Sequence, residues 1–515
     1  MRGMTSEELF ASPFANFADL VRAHAQERGD HVAVVSGEAS LTYARLDALG
    51  DQIAASLQQD GLQPGEAVAV CATSSAPYAA LWVGVLRAGG VVAPLAPSTT
   101  AEGLRIMLED CGARTLFLDA GVAKTLEHVA GRLSVRRLAL DGSDAGEPFE
   151  GWLAPEDAAP RPVEVGPDDA FNVIYSSGTT GAPKGIVQPH SYRWNQFRRG
   201  LYTADAVTVV STPLYSNTTL VSFLPTLAAG GTVVLMGKFD AAQFLQLSER
   251  WRATHAMLVP VQYRRLMDHP EFDRFDLSSY VTKTCTSAPF AGDLKAEVLR
   301  RWPGGLVEFY GMTEGGGSCM LVAHEHPDKL HTVGRPMPGH DIRLIDEGGR
   351  ELPPGEIGEV VGRSAGIMKG YHNQPDKTRE AEWWSAAGER FIRTGDVGRF
   401  DAEGFLTLMD RKKDMIISGG FNIYPSDIEA ELSQHPDVKD CAVFGVASEA
   451  WGETPVAAVV LRPGASTTAD EIKGWTNGRV GKTQRLSEVR FVDSLPRSAI
   501  GKILKRELRD AFAAA

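Results

Sequence analysis

One short segment of the chain concentrates residue types that bind phosphate groups. Residues 175–185 read Tyr-Ser-Ser-Gly-Thr-Thr-Gly-Ala-Pro-Lys-Gly and follow an apolar stretch, residues 171–175, with strand character. Glycines let backbone N–H groups turn towards an anion, and serine and threonine hydroxyls add further donors. The segment predicts a cradle for a polyphosphate, with Lys184 as its positive charge. A flexible surface connection is the alternative that such a composition also allows.

The position of Lys184 excludes the common P-loop. That motif needs a lysine between glycine and a serine or threonine at the start of a helix, whereas Lys184 follows Pro183 and precedes Gly185. The sequence therefore indicates a different class of nucleotide enzyme.

Four further segments occur in a fixed order after the first. They are Glu-Phe-Tyr-Gly-Met-Thr-Glu at residues 308–314, Arg-Thr-Gly-Asp at 393–396, Asp-Arg-Lys-Lys-Asp-Met-Ile-Ile-Ser-Gly-Gly at 410–420 and Leu-Pro-Arg-Ser-Ala-Ile-Gly-Lys at 495–502. Together the five segments resemble the motif set of the adenylate-forming superfamily, which contains acyl-CoA synthetases, peptide-synthetase adenylation domains and firefly-type luciferases. The resemblance covers about residues 14–508, and residues 414–429 are most similar to aryl-CoA ligases of the 4-chlorobenzoate type.

The resemblance implies an ATP site with Mg²⁺. The residues that it assigns to ATP are Ser176, Ser177, Gly178, Thr179, Thr180, Lys184, Ser287, Ala288, Pro289, Glu308, Phe309, Tyr310, Gly311, Met312, Thr313, Asp396, Arg411 and Lys502. By the same resemblance Tyr310 stacks on adenine and Asp396 accepts hydrogen bonds from the ribose. Taken singly, Tyr310 could be a core aromatic, Asp396 a turn residue and Arg411 a surface charge.

Three residues are expected to take part in catalysis. The resemblance assigns this role to Lys502, Thr180 and Glu314, with Glu314 also the carboxylate associated with the metal ion. Joining a carboxylate to ATP brings two anions together, so the site must neutralise negative charge, and electrostatic stabilisation is expected to dominate. Lys502 is expected to reach the carboxylate and α-phosphate oxygens from a mobile C-terminal domain.

The second half-reaction needs a thiol, and the resemblance implies coenzyme A. It assigns the CoA face to Gly419, Gly420, Trp451 and Arg485, and the interdomain hinge to Lys413. Trp451 could instead be a packing residue. Residues 482–486 depart from the family pattern, and Arg485 would replace the usual lysine near the CoA phosphates.

The acyl pocket is expected to draw on Tyr215, Ser216, Asn217, Thr219, Gly315 and Gly316. No acidic residue lies between positions 213 and 220 to pair with an α-ammonium group, so an acid without an α-amino group is favoured. An AMP-forming acyl-CoA synthetase for an aromatic or compact hydrophobic acid is the main hypothesis. The alternatives are a fatty acid–CoA ligase, an enzyme that loads a carrier protein, a luciferase-like oxygenase and a non-catalytic nucleotide-binding regulator.

The composition and charge of the chain indicate which other partners and cellular locations are disfavoured. The chain has 515 residues and a formal net charge of −13, which disfavours binding to nucleic acid or anionic membranes. No apolar run reaches the roughly 18 residues of a membrane span, and the N-terminus lacks the apolar core of a signal peptide. Five scattered cysteines indicate reduced thiols, so a cytoplasmic location is expected, and a homodimer is left open.

Alternating helical and strand-like segments from residue 14 onward predict an α/β fold with mainly parallel sheets. A helix is expected over residues 42–59 and strands over 67–71 and 91–92. Short strand-like pieces between glycine and proline turns at residues 339–361 indicate a small β-rich subdomain. Residues 1–411 are assigned to an N-terminal adenylation domain with the ATP and acyl sites, and 412–515 to a small mobile α/β C-terminal domain.

Overall fold

The structure is a computed structural model of the whole chain. It describes residues 3–176, 183–411, 413–418, 421–448, 451–498 and 501–513, without the side chains of Ser176, Asp410, Arg411 and Ala513. Helices and strands alternate along most of the described sequence, which confirms the predicted α/β class.

The first sheet carries the predicted phosphate segment. Its described strands, in spatial order, are Gly370–Tyr371, Lys184–Pro189, Ala170–Ser176, Val91–Pro94, Ala67–Cys71, Thr115–Leu118, Arg136–Ala139 and Glu147–Pro148. Pairing is parallel from Ala170–Ser176 to Glu147–Pro148, and antiparallel between Ala170–Ser176 and Lys184–Pro189. Ser176 and Lys184 are paired at one end of these two strands.

The second sheet positions residues 305–322. Its described strands are, in order, Arg335–Pro336, Ser318–Val322, Gly305–Gly311, Thr282–Cys285, His255–Leu258, Val207–Val210, Thr232–Leu235, Val32–Ser36 and Ala39–Thr42. The six strands from Gly305–Gly311 to Val32–Ser36 are parallel. Strands in such sheets are covered by helices on both faces, which explains why His255–Leu258 and Thr232–Leu235 are buried throughout.

Two smaller sheets follow. The first is antiparallel and contains Asp341–Ile345, Gly358–Arg363, Arg390–Phe400, Glu382–Trp384 and Leu406–Arg411, so it extends beyond the predicted β-rich segment. The second contains Phe421–Ile423, Ile416–Ser418, Gly452–Leu461, Val438–Ser448 and Glu488–Phe491. The predicted boundary at residue 411 lies between these two sheets.

Helices pack against the sheets along the chain. They are Ser6–Ala11, Phe17–Arg28, Tyr43–Gln59, Ala76–Arg87, Ala101–Cys111, Ala120–Leu126, Phe149–Trp152, His190–Phe197, Asn217–Ala228, Ala241–Arg250, Pro260–Met267, Gly292–Arg301, Pro375–Ala381, Pro425–Leu432, Ala469–Asn477 and Lys505–Ala513. Short 3₁₀ helices are Glu127–Arg132, Phe272–Arg274 and Lys482–Gln484. In the described part of the chain, none of the helices has the length and apolar character of a membrane span.

The predicted helix over residues 42–59 shows how local sequence sets an element. The side chain of Thr42 accepts a hydrogen bond from the backbone N–H of Arg45, so Thr42 caps a helix that runs over Tyr43–Gln59. The buried side chains of this helix include Tyr43, whose hydroxyl donates to the Leu227 and Gly231 carbonyls at 3.0 and 2.8 Å. The helix therefore joins the N-terminal residues to the second sheet.

Candidate active site

One large cavity, about 3370 Å³, collects most of the predicted site residues. Its walls come from the two parallel sheets, the antiparallel sheet and residues 413–509. The predicted residues that line it are Lys184, Tyr215, Ser216, Asn217, Ser287, Ala288, Pro289, Glu308, Phe309, Tyr310, Gly311, Met312, Thr313, Glu314, Gly315, Asp396, Lys413 and Lys502. Residues assigned from separate motifs therefore meet in space.

The other predicted residues divide into two groups. Ser177, Gly178, Thr179, Thr180, Gly419 and Gly420 lie outside the described residues, as do the side chains of Ser176 and Arg411. Thr219, Gly316, Trp451 and Arg485 are described but do not line the cavity.

Thr219 and Gly316 lie behind the cavity wall for packing reasons. The Thr219 hydroxyl donates to Thr212 Oγ1 at 2.8 Å and to the Pro213 carbonyl at 2.6 Å, so it points into the protein. A Cβ on Gly316 would lie 2.9 Å from the Cβ of Ile392, which shows close backbone packing. Thr218 lines the cavity where Thr219 was expected.

Lys184 and Glu314, which are predicted to bind phosphate and a metal ion, line one end of the cavity with Tyr371 between them. The Tyr371 hydroxyl donates to Glu314 Oε1 at 2.9 Å, and Lys184 Nζ lies 4.9 Å from the centroid of the Tyr371 ring. Burial raises the pKa of Tyr371, so the hydroxyl stays protonated and remains a donor. One tyrosine therefore contacts a cation through its ring and an anion through its hydroxyl.

Backbone hydrogen bonds join residues 368–374 to the same end. The N–H of Met368 donates to the Glu314 carbonyl at 2.8 Å, and the N–H of His372 donates to the Gly185 carbonyl at 2.7 Å. The Gln374 side-chain amide donates to the Pro183 carbonyl at 3.1 Å. Residues 368–374 thus hold the end of the predicted phosphate segment beside Glu314.

Tyr310 and Asp396 are in direct contact. The Tyr310 hydroxyl donates to Asp396 Oδ2 at 2.8 Å, and the N–H of Asp396 donates to Thr394 Oγ1 at 3.0 Å. A carboxylate can accept about four hydrogen bonds in all. Burial raises the pKa of Tyr310 well above its usual value.

Glu308 forms a buried ion pair with Lys295 behind this wall. Lys295 Nζ pairs with Glu308 and donates to the Leu330 and Thr332 carbonyls at 2.8 and 3.0 Å. Burial raises the pKa of Glu308 to about 7, although the charge of Lys295 opposes the shift. The pair links the helix Gly292–Arg301 to the strand Gly305–Gly311, and so supports residues 308–314 from behind.

Lys502 lines the cavity, and hydrogen bonds fix the backbone on either side of it. The N–H of Lys502 donates to Ser498 Oγ at 3.2 Å, and Arg497 Nη1 donates to the Gly501 carbonyl at 2.9 Å. Gly501 has φ of +79°, and a Cβ there would lie 2.8 Å from Val261 Cγ1. The close approach of Gly501 to Val261 places Lys502 on the same cavity as Lys184 and Glu314.

Trp451 lies on a different surface. It is 61% exposed, as is Phe421, and Ile417 is 53% exposed. Ile417 and Phe421 belong to neighbouring strands, and Ser418, next to Ile417, pairs with Gly452, next to Trp451. The exposure of Trp451 argues against the packing role that was its alternative.

The part of the cavity that is predicted to bind the acyl group has one strained residue. Ser287 has φ of +83°, which is unusual outside glycine, and its hydroxyl forms a hydrogen bond with the Thr218 hydroxyl. Such backbone strain concentrates at binding sites. The helix Asn217–Ala228 begins at this point, so Asn217 and Thr218 present the first helical turn to the cavity.

Sequence reasoning missed Tyr371 and Lys295. Tyr371 belongs to a two-residue strand, Gly370–Tyr371, whose pairing with Ile186 and Val187 has no periodic signal in the sequence. Lys295 lies in a helix rich in charged residues, where a buried lysine looks like a surface one. The burial of Lys295 could be inferred only from its carboxylate partner, Glu308, and that pairing is visible only in the structure.

The fold and the site define an α/β enzyme in which lysine and carboxylate side chains from distant segments face one cavity. A family model described as AMP-binding enzyme matches residues 21–372, and the model of the AMP-binding enzyme C-terminal domain matches residues 427–502. The chain belongs to the AMP-binding enzyme family.

Individual relatives cover nearly the whole chain. A feruloyl-CoA synthase from Amycolatopsis sp is 36% identical over 93% of this chain and 96% of its own length. An indoleacetate–CoA ligase from Aromatoleum aromaticum is 33% identical over 96% of this chain and 98% of its own length. The crystal structure of ATP-bound MatB from Rhodopseudomonas palustris has a TM-score of 0.84 and 31% identity, and the match covers 97% of this chain and 99% of that one.

Proposed function

We propose that this AMP-forming acid–CoA ligase activates an aromatic or compact hydrophobic carboxylic acid and transfers the acyl group to the thiol of coenzyme A. The observation that carries the proposal is the shared cavity wall of Lys184, Glu314, Asp396 and Lys502. The relatives named for feruloyl-CoA and indoleacetate support an aromatic acid.

The chemistry accounts for the distribution of charge. In the first step a carboxylate oxygen forms a bond to the α-phosphorus of ATP, and the bond from that phosphorus to the departing pyrophosphate breaks. Negative charge then spreads over oxygens of both partners, and fixed cations lower its energy. Lys184 is proposed to bind the β and γ phosphates, and Lys502 the oxygens around the reacting phosphorus.

In the second step the thiol sulfur of coenzyme A forms a bond to the acyl carbon, the bond from that carbon to the phosphate oxygen of AMP breaks, and the thiol proton is released. Lys502 is proposed to have no part in this step, because the C-terminal residues turn about Lys413 and carry it away from the acyl adenylate. The exposed side chains of Phe421 and Trp451 are proposed to bind the pantetheine arm after the C-terminal residues turn about Lys413.

Glu314 suits a magnesium ion. Mg²⁺ prefers oxygen ligands and is usually held by one or two carboxylates together with phosphates and water. The Tyr371 hydroxyl occupies one oxygen of Glu314, which leaves the second oxygen for a metal or a metal-bound water. The ion would neutralise charge on the phosphate oxygens.

Asp396 and Tyr310 are proposed to hold the nucleoside. The Asp396 carboxylate is proposed to accept hydrogen bonds from the ribose hydroxyls, and its bond to the Tyr310 hydroxyl fixes the plane of the Tyr310 ring. Glu308 contributes through its ion pair with Lys295, which supports the strand that carries Tyr310.

A carrier protein is the second candidate acceptor. The same pantetheine arm is attached to carrier proteins, and an exposed apolar surface such as that of Phe421 and Trp451 also suits a protein partner. Release of AMP by free coenzyme A, with no other protein present, distinguishes the two acceptors.

Acid-stimulated exchange of pyrophosphate into ATP tests the proposed activity. We expect exchange with at least one acid from a panel of aromatic, fatty and dicarboxylic acids, with the aromatic acids fastest. A faster fatty acid would favour the fatty acid–CoA ligase alternative. Exchange with none of them would contradict the proposal and favour the nucleotide-binding regulator.

Cellular location and assembly complete the proposal. All five cysteines are unpaired and buried, which supports a reducing compartment, and we place the enzyme in the cytoplasm. A homodimer is the proposed assembly, and light scattering at working concentration measures it directly.

A further inference from the structure

A buried arginine lies behind the acyl end of the cavity. Arg193 has no exposed surface, and its guanidinium donates to four side-chain amide oxygens. The partners are Asn172 Oδ1 at 3.0 Å, Gln188 Oε1 at 2.6 Å, Gln196 Oε1 at 3.1 Å and Asn217 Oδ1 at 2.9 Å. The four amides come from two strands and two helices.

The charge of Arg193 has no carboxylate partner within 4 Å among the described side chains. Burial lowers the pKa of Arg193 to about 10, so the guanidinium remains charged at neutral pH. Buried charges are costly and are normally paired with an opposite charge. Here amide dipoles and the rings of Phe171 and Tyr192, with centroids at 5.9 and 5.0 Å, surround the cation.

Arg193 fixes which way each amide points. A guanidinium has five N–H donors and no acceptor, so every neighbouring amide must turn its oxygen inward and its NH₂ group outward. The Gln188 NH₂ group then donates to the Thr313 carbonyl at 2.7 Å, and the Asn172 NH₂ group donates to Gln188 Oε1 at 3.0 Å.

The remaining two amides face the cavity. Gln196 and Asn217 both line it, and their oxygens are held by Arg193. Within the described part of the chain, no protein acceptor is found for the NH₂ group of either residue. Both therefore offer N–H donors to a bound acyl group.

His340 adds a further donor to this cavity. The N–H of Ser318 donates to His340 Nδ1 at 2.8 Å, which leaves the proton of the neutral ring on Nε2. Burial and the charge of Arg199 lower the pKa of His340 to about 4, so the ring is neutral at pH 7. Arg199, which also lines the cavity, is a donor as well.

We propose that the acyl pocket selects acids whose acyl part carries an acceptor oxygen, which receives hydrogen bonds from the amide groups of Gln196 and Asn217. Ether, carbonyl and second carboxylate oxygens share this chemistry. Gln196 and Asn217 determine specificity by contact, and Arg193 is a positioning residue that orients them. The inference rests on the proposed acid activation and narrows its substrate class.

Pairs of acids that are similar in shape but differ in their acceptor oxygens test the proposal. A methoxy group and an ethyl group have similar shapes, but only the methoxy oxygen accepts a hydrogen bond. Pyrophosphate exchange is measured for methoxy- and ethyl-substituted cinnamic and benzoic acids at the meta and para positions, and for succinate half-ester against the matching alkyl acid. We expect the acceptor-bearing member of the best pair to have a kcat/KM about tenfold higher, the effect of one hydrogen bond.

Asn217→Asp distinguishes the loss of the proposed hydrogen bond to the acyl group from a loss of protein stability. The aspartate pairs with Arg193 and so preserves the buried cluster, but it presents no N–H to the cavity. We expect the tenfold preference to fall below twofold, with the melting temperature unchanged or raised. Gln246→Glu, a similar change on the exposed face of the helix Ala241–Arg250, is the matched control and should keep the preference.

The outcomes separate the inference from the proposed function. Equal rates for both members of every active pair would overturn the inference and leave acid activation intact. An Asn217→Asp variant that folds and keeps the full preference would also overturn it. Absence of exchange with every acid would overturn both.

Discussion

Tyr371 is predicted to control the response of the enzyme to Mg²⁺ and ATP. Its hydroxyl holds one oxygen of Glu314 at 2.9 Å, and its ring lies 4.9 Å from the ammonium of Lys184. Without this side chain the lysine and the carboxylate are free to approach each other, and each would then be withdrawn from its proposed partner. Tyr371→Phe removes the hydroxyl and keeps the ring.

The size of the effect follows from the two contacts. A hydrogen bond to a charged group contributes about 1.5–3 kcal/mol, and water in the cavity replaces part of it. We therefore expect about 1.5 kcal/mol, or a roughly tenfold weaker affinity for Mg·ATP. Tyr371→Leu also removes the contact between ring and lysine, worth about 0.5–1 kcal/mol, so it should weaken binding about threefold further.

Titration calorimetry with Mg·ATP and the Mg²⁺ dependence of pyrophosphate exchange measure this effect. Tyr280→Phe is the matched control, because it removes a buried tyrosine hydroxyl bond of 2.8 Å to Ser248 in the core outside the cavity wall. The reasoning is refuted if Tyr371→Phe binds Mg·ATP like the unaltered enzyme. It is also refuted if Tyr280→Phe weakens binding equally.

Three further predictions concern the C-terminal lysine and two buried groups. Lys502→Ala should lower the rate of adenylation by about 10²–10³, the effect of losing one transition-state donor. The rate of thioester formation from supplied acyl adenylate should not change. An equal loss in both half-reactions would contradict this prediction. Lys295→Met leaves the Glu308 carboxylate buried without a partner and should lower the free energy of unfolding, measured in urea, by about 3–5 kcal/mol. Adding Glu308→Gln should remove this loss. Burial lowers the pKa of His190 to about 4, so between pH 6.5 and 4 only the unfolded chain gains this proton and stability falls as the pH falls. His190→Gln should remove up to about 3 kcal/mol of that acid-dependent loss of stability. The measurement is the slope of the unfolding free energy against pH over this range. An unchanged slope in the variant would contradict the prediction.

Local signals predicted the elements that depend on local sequence. The helix Tyr43–Gln59 has a threonine cap and a regular apolar pattern, and its predicted bounds differ by one residue. The strand Ala67–Cys71 is an apolar run with the predicted bounds. The alternation of helical and strand-like segments indicated the α/β class, and the five motif segments indicated the family, because each has a distinctive spacing of glycine, hydroxyl and charged residues.

Contacts between distant segments were not predictable in the same way. Arg193 lies in the short helix His190–Phe197 among polar residues and, from the sequence, looks like a surface charge. Its burial depends on Asn172 and Asn217, which are 21 and 24 residues away and belong to other elements. Tyr371 meets Glu314 across 57 residues, and no periodic pattern connects the two positions.

The contacts of the predicted acyl pocket were also not fully predictable from the sequence, here because of a difference of one residue. Sequence comparison placed Thr219 in the pocket, but the first turn of the helix Asn217–Ala228 directs Thr218 to the cavity and Thr219 inward. Neighbouring helical positions point about 100° apart, so a shift of one residue decides which side chain meets the substrate. The sequence motif cannot fix that rotation.

The central claim is that one enzyme forms an acyl adenylate and passes the acyl group to coenzyme A. Its most direct measurement is the product balance with an active acid, ATP, Mg²⁺ and coenzyme A as the only other reactants. We predict equal amounts of AMP, pyrophosphate and acyl-CoA, with AMP release dependent on coenzyme A. Formation of ADP and phosphate, or AMP release at the same rate without coenzyme A, would contradict the claim.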